Sequence, residues 1–120
     1  MRLLAAPLLA ALAFPAHAGE ADVLDATAEP LGDGRFRVSA TVRHADEGWD
    51  HYANAFEVLA PDGTPLETRT LHHPHVEKQP FTRSVTVTVP DGVTALIVRA
   101  VDSVHERGGA ETTIELPAAP

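Results

Sequence analysis

The stretch Arg35-Phe36-Arg37-Val38-Ser39-Ala40-Thr41-Val42-Arg43 decides the fold. Phe36, Val38, Ala40 and Val42 fall on every second position, with arginine or a small polar residue between them. Side chains of an extended chain alternate between two faces, so this spacing makes one face apolar and leaves the other to water. A helix would scatter the same four residues around its circumference.

The period of two recurs on both sides of this segment. Phe81, Val85, Val87 and Val89 share one register, as do Leu96, Val98 and Ala100, and shorter segments place Phe56 with Val58 and Ile114 with Leu116. Near the start, Val23 or Leu24 offers an inward residue. No window of helical length carries a 3.6-residue apolar period. The expected strands are 22–28, 35–43, 53–60, 65–71, 81–89, 94–101 and 110–116. Gly32-Asp33-Gly34, Pro61-Asp62-Gly63-Thr64 and Pro90-Asp91-Gly92 supply tight turns between some of them. Short strands at this spacing imply an all-β fold, a single seven-stranded antiparallel β-sandwich.

Composition narrows the class further. Arg2, the apolar run Leu3–Phe14 and the small-residue triplet Ala16-His17-Ala18 have the form of a signal peptide over residues 1–18, leaving a domain over 19–120. The apolar stretch is too short to anchor a helix across a bilayer, so no membrane insertion of the mature chain is expected. The expected localisation is periplasmic or secreted. Of the 9 basic residues the leader takes only Arg2, and of the 17 acidic ones none, so the mature chain carries a formal charge of −9. A field of that sign disfavours nucleic acid as a partner. The chain has no cysteine, which excludes disulfides, thiolate metal sites and cysteine nucleophiles. Its only methionine is Met1, so thioether ligation is excluded from the mature chain as well.

Leu96-Ile97-Val98-Arg99-Ala100-Val101-Asp102, followed by Gly108-Gly109 and a last strand, resembles the end of fibronectin type III and related Ig-like domains. That resemblance covers the C-terminal quarter and implies an Ig-like, fibronectin type III-like sandwich. Leu96 departs from the pattern, standing where many such domains place a tyrosine that ties down a corner. Separately, Trp49-Asp50-His51-Tyr52, His73-Pro74-His75 and Gln79-Pro80-Phe81-Thr82-Arg83-Ser84 are similar to segments of small exported bacterial proteins of unassigned function.

Because successive connections in such a sandwich alternate between its two ends, the Asp-Gly turns should gather at one end and the longer loops at the other. Those longer loops hold His44, His51, His72, His73, His75 and His105. Pro74 restrains the backbone between His73 and His75, lowering the entropic cost of ligation. The expected metal ligands are His51, His73, His75 and His105, with Asp50, Glu77 or Glu106 as oxygen ligand or outer acceptor. Nitrogen and oxygen donors alone suit Zn(II), Cu(II) or Ni(II).

Around these, His44, Tyr52, Arg83 and Asp102 extend the inward registers of their strands and should cap the core, with Arg83 paired to Asp102. Trp49 is expected to fold over the end of the core. Ser84 and Ser103 lack a nucleophile elbow, carboxylates do not converge and no phosphate loop follows a strand, so the chain is not expected to be an enzyme. The reading is an exported binding module with a histidine-rich pole for a divalent transition metal. The alternative is a metal-free envelope accessory domain that meets an unknown protein partner through Trp49, Tyr52 and the loop His72–Lys78.

Overall fold

A computed structural model describes residues 19–117. The leader expected over 1–18 and the last residues of the tail lie outside them. Seven strands run in chain order: β1 (Asp22–Gly32), β2 (Arg35–Arg43), β3 (Ala53–Leu59), β4 (Pro65–Thr70), β5 (Phe81–Thr88), β6 (Ala95–Asp102) and β7 (Thr112–Glu115). They form a three-stranded sheet in the order β1-β2-β5 and a four-stranded sheet in the order β4-β3-β6-β7. Every pairing is antiparallel, and no helix interrupts the described residues.

The two apolar faces close on each other. Val38, Ala40 and Val42 of β2 meet Val87 and Phe81 of β5, and from the other sheet Phe56, Val58, Leu96 and Val98 fill the interior, all buried. Strand ends match the sequence reading to within a residue or two, except at the end of β1. β1 runs on to Gly32 because register shifts at Val23/Asp25 and Pro30/Gly32 let it absorb extra residues beside β2. The first shift also settles its inward residue: Val23 is buried and Leu24 is exposed. Pro30, which cannot donate to a ladder, is tolerated because β1 is an edge strand.

Both seams between the sheets are tied. Arg69 of β4 donates to the Ser84 carbonyl of β5 at 2.6 Å. On the opposite seam Val23 N–H donates to the Ala110 carbonyl at 2.8 Å, and Thr112 Oγ1 donates to the Val23 carbonyl. Gly109 makes this second seam feasible, since a Cβ there would run into the Ala21 carbonyl.

The connections sort as their composition predicts. Residues 33–34, 60–64 and 89–94 turn at one end, while 44–52, 71–80 and 103–111 cross the other together with residues 19–21 at the entry to β1. All the described histidines lie in this second set of connections.

Candidate metal centre

His44 follows β2 directly and continues the inward register of Val42, so its ring enters the end of the core rather than solvent, and its side chain is 1 % exposed. The chain then turns back, with Asp46 N–H donating to the His44 carbonyl. That places the Asp46 carboxylate, itself fully buried, against the His44 ring. His44 Nδ1–H donates to Asp46 Oδ1 at 2.7 Å. Asp46 also accepts the N–H of Ala53 at 3.0 Å and, on its other oxygen, the N–H of His75 at 2.6 Å. One carboxylate thus pins the 44–52 loop, the start of β3 and the 71–80 loop.

Fixing the proton on Nδ1 leaves the Nε2 lone pair of His44 facing inward across the pole. There it meets other electron-rich atoms. His51, brought back by a tight loop in which Glu47 N–H donates to the His51 carbonyl and His51 N–H to the Gly48 carbonyl, places its Nε2 3.2 Å from His44 Nε2. The Gly19 carbonyl oxygen stands 2.8 Å from His44 Nε2 and 3.2 Å from His51 Nε2.

Asp102, the last residue of β6, continues the inward register of Leu96, Val98 and Ala100 and is fully buried. Its Oδ2 lies 3.0 Å from His51 Nε2 and 3.0 Å from His105 Nδ1, and it accepts the N–H groups of Val104 and His105 at 3.1 and 2.8 Å. Its Oδ1 is buried with no hydrogen-bond partner among the described residues.

Donor atoms of His44, His51 and Asp102 all lie within 4.8 Å of one another. Bonds of about 2.0–2.1 Å to one ion require neighbouring ligand atoms roughly 3.3 Å apart; the His44–His51 and His51–Asp102 contacts, at 3.2 and 3.0 Å, already have that spacing, and the widest separation in the group would have to close onto the ion. The electrostatics point the same way. Burial alone would lower the His51 pKa, but contacts with the Gly19 carbonyl, Glu47 and Asp102 outweigh it and raise the value above that of free imidazole. Burial works to raise Asp102, yet hydrogen bonds from the His105 and Val104 N–H groups and the His105 ring hold it below the usual carboxylate range. The pole stabilises positive charge. Protonating both His44 and His51 would set two imidazolium nitrogens 3.2 Å apart, whereas a single cation between them satisfies both lone pairs and the carboxylate.

The structure therefore divides the residues expected from sequence. His51 and His105 come together, with ring centroids 4.9 Å apart, and His44 and Asp102 join them as inner members of the group. His73 and His75 lie apart from it. The His75 ring stacks flat on Phe81 at 4.0 Å, and its Nε2 takes a hydrogen bond from Arg83 at 3.0 Å. Burial, reinforced by the Arg83 charge, lowers the His75 pKa. The lone pair that a metal would need already serves the guanidinium. His72, His73, Asp50 and Glu77 are exposed.

Arg83 pairs with His75 and the Thr82 carbonyl instead of with Asp102, because β5 lies in the other sheet from β6 and its side chain reaches the 71–80 loop first. Trp49 does not cover the core. It is 67 % exposed and touches Tyr52 edge to face at 5.6 Å, the end of the core being filled by His44 and Asp46. Two participants escaped the sequence reading. Asp46 carried a usable signal, a carboxylate two residues after a histidine that continues a buried register; Gly19 contributes a backbone atom and carried none.

No protein-family model matches the chain. No solved structure matches it either. Among curated proteins it is similar to one of Halomicrobium mukohataei described as a "Putative lipoprotein", with 38% identity over 96 residues, 80% of this chain and 47% of that protein. The chain thus spans about half the length of the curated relative it matches. Among the described residues no helix is long and apolar enough to cross a membrane.

Proposed function

We propose that this is an exported, fibronectin-like binding module whose histidine pole holds a divalent first-row transition metal. His44 Nε2 and His51 Nε2 supply nitrogen, Asp102 supplies a carboxylate oxygen, and His105 stands ready as a further imidazole. The observation that carries this reading is the buried Asp46–His44 pair aimed at His51 and Asp102. A carboxylate on the far nitrogen of a ligating imidazole fixes its tautomer and raises its basicity, which is the arrangement Asp46 gives His44. The donor set suits Zn(II), Cu(II) or Ni(II). The Ala16-His17-Ala18 segment and the description of the Halomicrobium relative both favour an exported or envelope-associated protein.

Calorimetric titration with the three ions tests the proposal. Sub-micromolar binding of at least one ion is expected, weakened about a hundredfold by His44→Ala or His51→Ala and little changed by His73→Ala. Absence of binding by all three ions would refute it.

A second reading, contact with a protein partner, draws on Trp49, Val76 and Val104, which are exposed at this same end by 67, 57 and 55 %. It requires no metal, and the titration separates the two.

A further inference from the structure

Gly19 enters the cluster through its backbone. Its carbonyl oxygen lies against both inner imidazoles, and its φ of 110° belongs to the region that favours glycine. A Cβ at this position would drive into the His105 ring, whose Nε2 would stand 2.8 Å away. Only glycine lets the main chain come this close to three histidines. In the sequence this glycine follows Ala16-His17-Ala18, the triplet with the form of a cleavage site.

We infer that hydrolysis of the Ala18–Gly19 bond creates the last ligand of the metal site, the α-amino group of Gly19. This rests on the metal-binding reading above. In the uncleaved chain the Gly19 nitrogen is an amide, which donates one hydrogen and has no basic lone pair. Water adds its hydroxyl to the Ala18 carbonyl carbon and a proton to the departing nitrogen, and the carboxyl proton then passes to the new amine, leaving a carboxylate on the released leader and a protonated primary amine on Gly19. The amine loses its proton near pH 8 in free form and then offers a lone pair.

Amine nitrogen and carbonyl oxygen of one residue can close a five-membered ring with an ion when they lie on the same side of the Cα–C bond, and the Gly19 oxygen already faces the two imidazoles. The Oδ1 of Asp102, buried and without a partner among the described residues, is an independent sign that the cluster lacks a positive or hydrogen-bonding group. Export would then switch the site on: the precursor offers imidazole and carboxylate donors, and the processed protein adds an amine.

The test compares three forms of the protein: the full chain expressed in a secreting bacterium and recovered after export, a chain with one alanine placed before Gly19, and the exported form acetylated at its amine. Intact mass must place the mature terminus at Gly19, and any other terminus overturns the inference. With Cu(II) as probe, the exported form should bind about tenfold or more tighter than the other two and release one more proton per ion at pH 7. Its EPR spectrum should show one more coupled nitrogen. His44→Ala in the exported form should remove the tight binding, which distinguishes this site from copper held by a free terminus alone. Equal affinity in all three forms, with His44→Ala still abolishing it, would refute the amine ligand and leave the imidazole site standing. Failure of every form to bind would refute both.

Discussion

The two ends of this sandwich are made by the same seven strands and are held in opposite ways. At the Asp-Gly end the turns are held by backbone hydrogen bonds, within a turn or, as from the Val89 N–H to the Gly34 carbonyl, between two of them. Ala60 and Gly63 bond within residues 60–64, Asp62 accepts the Thr64 N–H, and no side-chain hydrogen bond joins one of these turns to another among the described residues. At the histidine end the loops are too long for that, and side chains bind them together: Asp46 joins 44–52 to 71–80, and Asp102 joins 44–52 to 103–111. Two carboxylates have been buried to do this. Desolvating a carboxylate is costly unless its hydrogen bonds are made, so a fold needing only closure would use turns like those opposite. The expense is accounted for if the carboxylates orient imidazoles.

The largest effect should come from removing the joint itself. Asp46→Ala leaves the buried Nδ1–H of His44 and the N–H groups of Ala53 and His75 without their acceptor. A loss of about 3 kcal/mol or more in unfolding free energy is expected, measured by urea denaturation. Metal affinity should fall by about 10–100-fold, because the His44 ring is no longer oriented. At the other end Asp62→Ala removes one exposed turn contact and should cost less than about 1 kcal/mol. Equal losses at the two sites would erase the distinction between the ends.

A smaller effect sharpens the comparison from outside the cluster. Glu57, on the outer face of the four-stranded sheet, accepts Arg107 at 2.7 and 2.9 Å and Arg99 at 2.6 Å. Arg107 lies in the 103–111 loop, so this ion pair anchors that loop to the sheet. The hydrogen bond from Arg107, with help from Arg99 and against burial, lowers the Glu57 pKa to about 2. A carboxylate depressed in the folded state stabilises above its unfolded pKa, near 4.5, and its contribution drains away as pH falls toward 2. Stability should fall by an amount on the order of 2 kcal/mol across that window, and Glu57→Gln should flatten the slope.

The sandwich was legible because its signals are local. Alternation at Arg35–Arg43 and Asp-Gly at the turns each depend on a few adjacent residues, and together they sort the loops between the ends. Which imidazoles meet depends on things that a single stretch does not hold. His44 and Asp102 enter the cluster because they are the next inward step of β2 and β6, strands of different sheets. The 71–80 loop crosses the same end, yet Phe81 and Arg83 of β5 draw the His75 ring to themselves. The strongest cue in sequence was the gathering of histidine-bearing loops at one end, and long-range packing divided the His72–His75 segment from the cluster.

The smallest expected effect concerns Trp49, in the same loop as His51 but outside the network. It touches Tyr52 edge to face, and most of its surface faces water. Trp49→Ala should therefore change stability by no more than about 0.5 kcal/mol and leave metal affinity within about twofold. Thermal denaturation and the same calorimetric titration measure both. A loop anchored at Asp46 and His51 can present a large apolar side chain without depending on it, so insensitivity would mean that the pole carries two separable surfaces, one turned inward to a cation and one outward. A marked loss of metal affinity would mean instead that Trp49 shields the cluster from water, and the contact-surface reading would lose its principal residue.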